Sequence, residues 1–287
     1  MFEIAFALAM TGAAQIAPAN VSLVDQLNCT PFEWKSVDGH ERGAVTVPVT
    51  VNGETRDFQL DTAAEVSVLY GRDGGVHSAT AGGMEIPPMY FMGRPQADSE
   101  GGTLGLDAMV GRVAVIDYPA KRFCLMAQAD FPYSIYRRTQ WVDASVTKGR
   151  VRVPVTINDR IETNFFFDTG SSLFHLAVDL DRWGDLTGRA TTGEATEVVE
   201  AHAWGRPTRV VGAPLNGDFL IGAHEVDGAL AWVREDAPDF IAQSQEGAEG
   251  IIGNAAVWDR VVVLYLGSRP RFGIVADEPT GGPPSGT

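Results

Sequence analysis

The chain carries one pattern twice, and two similar halves on one chain can pack about a twofold relation that neither needs alone. Val47-Pro48-Val49-Thr50-Val51-Asn52 leads through Phe58-Gln59-Leu60 to Asp61-Thr62-Ala63-Ala64, and Val153-Pro154-Val155-Thr156-Ile157-Asn158 leads through Phe165-Phe166-Phe167 to Asp168-Thr169-Gly170-Ser171. Leu104-Gly105 then precedes Arg112-Val113-Ala114-Val115-Ile116, as Ile252-Gly253 precedes Arg260-Val261-Val262-Val263-Leu264. Each half closes on an Arg-Phe pair, Arg122-Phe123 and Arg271-Phe272. In both, an apolar strand runs straight into an aspartate on a turn of small residues. A carboxylate there is costly to desolvate unless backbone N–H groups, hydroxyls or another charge compensate it. A solvated Asp opening an ordinary turn is the plainer reading of either copy by itself.

Two copies, each with its own downstream apolar-apolar-Gly segment, resemble the aspartic proteases of the pepsin and retropepsin type, most closely the single-chain bacterial retropepsin-like proteins. The resemblance covers about residues 45–126 and 151–275. It implies an all-β, two-lobed acid-protease fold built from an internal pseudo-twofold repeat, with an endopeptidase site between the lobes. By that resemblance Asp61 and Asp168 are the catalytic pair, binding the attacking water between them. Thr62 and Thr169 cross-brace the two loops, Ala63 and Gly170 occupy the close-approach positions, and Ser171 hydrogen-bonds the Asp168 carboxylate. The substrate implied is an extended peptide or unfolded protein held by strand-like main-chain bonds.

Hydrolysis of a peptide bond without a covalent intermediate needs a base for the water and an acid for the carbonyl oxygen. Two carboxylates sharing one proton supply both, because their closeness forbids double ionisation and drives the two pKa values apart. Ala63 departs from the family, which has Gly there. Its methyl group is expected either to crowd the opposite loop or to push the backbone away from Asp61. The alternative function is therefore an impaired protease that keeps the cleft as a peptide- or protein-binding module. Sugar-kinase and actin-like ATPases also use a strand-Asp-x-Gly-Ser turn, which Asp168 to Ser172 resembles, but they do not repeat the apolar-Gly and Arg-Phe segments.

Composition bounds the remainder. With 287 residues, 45% hydrophobic and 21% charged, the chain has apolar material for two cores. Its 22 Lys and Arg against 37 Asp and Glu give a formal charge of −15, which argues against a nucleic-acid partner. The five histidines, His40, His77, His175, His202 and His224, show no metal-ligand spacing, and neither a nucleophile elbow nor a phosphate loop is present. No metal, cofactor or membrane span is expected, and the chain is read as a monomer. Residues 1–19 read as a signal segment ending Ala17-Pro18-Ala19, with Glu3 where a basic residue would be usual. That places the protein in the periplasm or outside the cell. Cys29 and Cys124 there either form one disulfide or remain two buried thiols.

Along the chain, residues 20–147 form the first lobe with an interlobe linker, 148–276 the second lobe, and 277–287 a disordered tail rich in Pro and Gly. Residues 21–42 read as a leading strand and an irregular segment, 44–52 as an alternating strand turned by Asn52-Gly53, and 126–148 as a strand or short helix between lobes. Gly71, Gly74, Gly75, Gly82 and Gly83 mark either a plain surface loop or a mobile flap over the cleft, with Tyr90 its only aromatic candidate. In the second lobe, residues 179–184 suggest a short helix, 197–211 a hairpin with its tip at 204–207, and 219–233 a further strand pair.

Overall fold

The computed structural model describes residues 23–71, 75–92, 101–203, 206–245 and 247–276. The expected signal segment and tail lie outside these residues. The architecture is all-β and two-lobed, made of three sheets.

The first-lobe sheet begins with the hairpin His40–Val51 and Glu54–Leu60, turned by Asn52 and Gly53, both in the left-handed region. Val45, Val47, Val49 and Val51 alternate inward and are buried, which fixes the register because a one-residue slip would expose them all. The strand Glu54–Leu60 then runs parallel to Gly102–Leu104, with Leu60 beside Leu104. Strand Val76–Ala81 pairs back on His40–Val51 and closes the sheet on itself. In the second lobe Arg150–Ile157 and Arg160–Asp168 repeat the hairpin, and Arg160–Asp168 runs parallel to Gly250–Gly253 with Asp168 beside Gly253. All three phenylalanines of that strand are buried. Phe165 and Phe167 join the main core, while Phe166 faces the other way, under Ile241 of the short helix Phe240–Ser244.

The third sheet joins the halves. Arg112–Asp117 pairs antiparallel with Val261–Tyr265 so that Val115 lies opposite Val263, Val113 opposite Tyr265 and Asp117 opposite Val261. Val115 and Val263 are equivalent positions of the repeat, so the twofold relation read from the sequence passes between them. Thr30–Pro31 and Arg122–Ala127 extend this sheet on one side, Arg271–Val275 and Thr139–Asp143 on the other. A disulfide links Cys29 to Cys124 across 95 residues and ties the leading segment to this sheet.

Several local expectations are corrected. The leading segment forms a 3-10 helix, Leu23–Gln26, and the strands Thr30–Pro31 and Glu33–Val37. The interlobe stretch is both a helix, Tyr133–Arg138, and a strand, Thr139–Asp143. The short helix of the second lobe extends over Leu180–Thr187. The strand pair expected within 219–233 is Phe219–Ile221 with His224–Glu225, the former also lying against Arg150–Ile157, while Leu230–Arg234 lies apart, against Arg206–Pro214 and Leu176–Ala177. Gly82 and Gly83 form the turn between Val76–Ala81 and Met84–Met92 and sit against Leu125 and Asn28, on the joining-sheet side. Tyr90 lies mid-strand, 61% exposed, beside Val76 and Val68. Neither is a flap tip. The hairpin expected at 197–211 is formed by Glu197–Ala203 and Arg206–Pro214, and residues 204–205 of its tip lie outside the described residues.

Candidate active site

Each lobe's parallel strand pair ends in an Asp loop seated on a glycine. Gly105 is packed so closely that an added Cβ would stand 2.6 Å from the Val66 backbone, and at Gly253 it would stand 2.2 Å from the Ser171 carbonyl oxygen. Neither site admits a side chain, so the loop backbone descends onto the glycine. Leu106 N–H donates to the Ala64 carbonyl and Asn254 N–H to that of Ser171, locking the loops in equivalent ways.

The two loops meet through a reciprocal brace. Thr62 N–H donates to Thr169 Oγ1 at 3.0 Å, and Thr169 N–H to Thr62 Oγ1 at 3.0 Å. Each hydroxyl in turn donates, at 2.8 Å, to the carbonyl preceding the other loop's Asp, Thr62 to Phe167 and Thr169 to Leu60. Both threonines are fully buried, so four polar groups per pair of loops find partners where water cannot reach. The carboxylates of Asp61 and Asp168 are thereby brought together, each close enough to act on the other's titration.

The carboxylates are held unequally. Asp61 Oδ1 accepts from Ala63 N–H at 2.8 Å and Ala64 N–H at 2.9 Å, whereas Asp168 Oδ1 accepts from Gly170 N–H alone, at 2.8 Å. Burial pushes both pKa values up. For Asp61 the two N–H donors oppose that rise, while for Asp168 the negative charge of Asp61 adds to it and carries it well above the ordinary range. Two N–H donors against one favour negative charge on Asp61 over Asp168, and the pair titrates as a unit. The guanidinium of Arg150 draws both values down.

Gly170 and Ala63 differ for a visible reason. A Cβ on Gly170 would come within 2.9 Å of Asp61 Cγ and 3.0 Å of both carboxylate oxygens. Ala63 has its place in the apolar cluster of Phe166, Ile241, Ala248 and Ile251. Its N–H bond to Asp61 is intact, so the expected displacement of backbone from carboxylate does not occur. The expected bond from Ser171 to Asp168 is not formed. The engaged hydroxyl is that of buried Ser172, which donates to the Thr169 carbonyl at 3.3 Å and accepts from Asn254 Nδ2 at 2.9 Å.

Further participants escaped the sequence reading. Asn254 Nδ2 also donates to the Thr169 carbonyl at 2.8 Å, and its Oδ1 accepts from the hydroxyl of Tyr118 at 2.6 Å. The Asp168 loop therefore rests on Asn254, itself held by Tyr118 just beyond the joining-sheet strand Arg112–Asp117. In the first lobe Asp107 plays a related part, accepting at Oδ1 from the Ser67 hydroxyl, which accepts from Gly105 N–H. An Asn directly after the apolar-Gly segment was the one available signal for Asn254. Arg150 was signalled only by its place at the head of the repeated strand. Among the described residues no group of three or more His, Cys, Asp or Glu is arranged to hold a metal, and no helix is long and apolar enough to cross a membrane.

No family model matches the sequence, and no curated protein matches it. Among solved structures the chain is similar to an aspartic proteinase from Irpex lacteus, with 13% identity, covering 86% of this chain and 96% of that one at a TM-score of 0.49. What the site can do is read from its own hydrogen bonds and burial.

Proposed function

We propose that the chain is an aspartic endopeptidase of the single-chain retropepsin-like kind, with Asp61 and Asp168 as its catalytic residues. The observation that carries this reading is the pair of Asp loops locked face to face by the reciprocal Thr62 and Thr169 brace. A water between the carboxylates loses a proton to ionised Asp61 and its oxygen bonds to the peptide carbonyl carbon. The proton of Asp168 passes to the carbonyl oxygen, giving a neutral gem-diol. Collapse of the diol returns a proton to Asp168, while Asp61 delivers its own to the leaving nitrogen, and both groups regain their starting states. The substrate is an extended peptide or unfolded protein, and the working unit is the monomer. The Cys29–Cys124 disulfide supports an exported protein, since such bonds persist in oxidising compartments.

The binding-module alternative drew on Ala63. With its N–H bonded to Asp61 and its place in the Phe166 cluster, that residue gives no reason to prefer it. The test is cleavage of unfolded protein or a mixed peptide library between about pH 3 and pH 7, with Asp61→Asn and Asp168→Asn alongside. Loss of cleavage on the order of a thousandfold or more in both variants is expected. Wild-type protein that binds an extended peptide without cutting it would return the alternative.

A further inference from the structure

Arg150 stands abreast of Asp168. The strand ladder pairs Val151 with Phe167, so the next step places Arg150 alongside the catalytic loop. Its guanidinium lies over the Phe166 ring, 5.6 Å from the centroid, and Phe166 shares its cluster with Ala63 of the other Asp loop. The group is gripped on one side only. Nε donates to Gln245 Oε1 at 3.3 Å and Nη1 to the Gly149 carbonyl at 2.9 Å, both neutral acceptors. Nη2 has no protein acceptor among the described residues and is not a buried atom, so it is open to solvent. No carboxylate pairs with Arg150 among the described residues. Glu65, whose side chain packs on Gly149, is exposed and forms no ion pair there.

A half-buried guanidinium pinned at Nε and Nη1, with its outer edge open, matches the fork geometry by which arginine grips a carboxylate. We propose that Arg150 recognises a carboxylate of the substrate, so that peptides carrying an acidic group near the scissile bond are preferred. The proposal rests on the endopeptidase reading for its substrate. It also accounts for an arginine left unpaired on a protein with a formal charge of −15, where acidic partners are plentiful. The long-range effect of the same guanidinium on both aspartates agrees with its position.

The test uses the full chain and amidated peptides in matched pairs, Glu against Gln, stepped through the positions flanking the scissile bond. A parallel free-acid series separates a side-chain carboxylate from a chain-terminal one. At one position, or in the free-acid series, the acidic peptide should be favoured about tenfold in kcat/KM, chiefly through KM. Arg150→Gln should bring that ratio to about one, Arg150→Lys should keep part of it, and Glu65→Gln should enlarge it. A ratio of about one everywhere in the wild type, or a preference that survives in Arg150→Gln, overturns the proposal. Binding of the same pairs to Asp168→Asn, followed by fluorescence anisotropy, separates the two readings. Arg150-dependent acidic preference in binding without wild-type cleavage sinks the endopeptidase reading and keeps this one. Cleavage without preference does the reverse, and neither binding nor cleavage overturns both.

Discussion

The two lobes agree in their floors and differ in their walls. Both deliver an aspartate from a strand paired in parallel to a glycine-ended partner, and both contribute one threonine to a brace whose bonds match across the halves. Above that floor the second lobe raises the hairpin Glu197–Ala203 and Arg206–Pro214, with Val199 and Val210 packed with Trp232, Leu173 and Phe174 beside the Asp168 loop. In the first lobe only five residues of sequence, 71–75, separate Val68–Tyr70 from Val76–Ala81. The carboxylates differ too, two N–H donors on Asp61 against one on Asp168. Symmetry here belongs to the parts that hold the aspartates in place. Asymmetry belongs to the N–H donors on each carboxylate and to the chain that follows each loop.

The brace is where equality can be broken most heavily. Thr62→Val and Thr169→Val each leave a buried N–H and a buried carbonyl without partners, at roughly 2–5 kcal/mol. Urea denaturation should show the two losses equal within about 1 kcal/mol. A larger gap would mean that the Asn254 and Tyr118 support beneath one loop redistributes the load. Next comes the close-approach pair. Gly170→Ala drives a methyl group into the Asp61 carboxylate and should reduce kcat/KM on the order of a hundredfold. Ala63→Gly should change it by less than about threefold, since that position carries its methyl without losing the bond to Asp61. Equal effects at the two positions would erase the distinction.

The smallest effect reads the unequal acidity. Asp168 has its pKa raised by folding, so ionisation as pH rises opposes the folded state. That cost is absent below the ordinary aspartate value of about 4 and grows as pH climbs above it toward the raised value. Asp168→Asn should therefore raise Tm at pH 7, with the gain disappearing near pH 3. Asp61→Asn should gain less, because N–H donors already ease its charge. Thermal melts at the two pH values check both the sign and the order.

How much of this was legible follows from range. The repeat, the Asp loops and the alternating valines are local patterns, each set by neighbours in sequence, and the sheets formed around them as read. Glycine at 82 and 83 marked a turn correctly, but nothing local says which end of the lobe the turn occupies, and it lies against Leu125. Tyr118 and Asn254 are 136 residues apart and meet only because the joining sheet brings the β-turn after Asp117 under the second lobe. Ser172 rather than Ser171 is engaged because the loop backbone turns between them, a difference of one residue that composition cannot resolve. The Asp61 donors were likewise hidden, since backbone N–H groups carry no letter in the sequence.

The pairing of Val115 with Val263 puts the twofold relation inside a single polypeptide. In an assembly of two identical chains, any substitution in one half is copied into the other, and every improvement at one aspartate must be tolerated at its mate. Here the halves are inherited as separate text. An alanine can stand at 63 while glycine stays at 170, and an arginine can be set beside one loop without a twin beside the other.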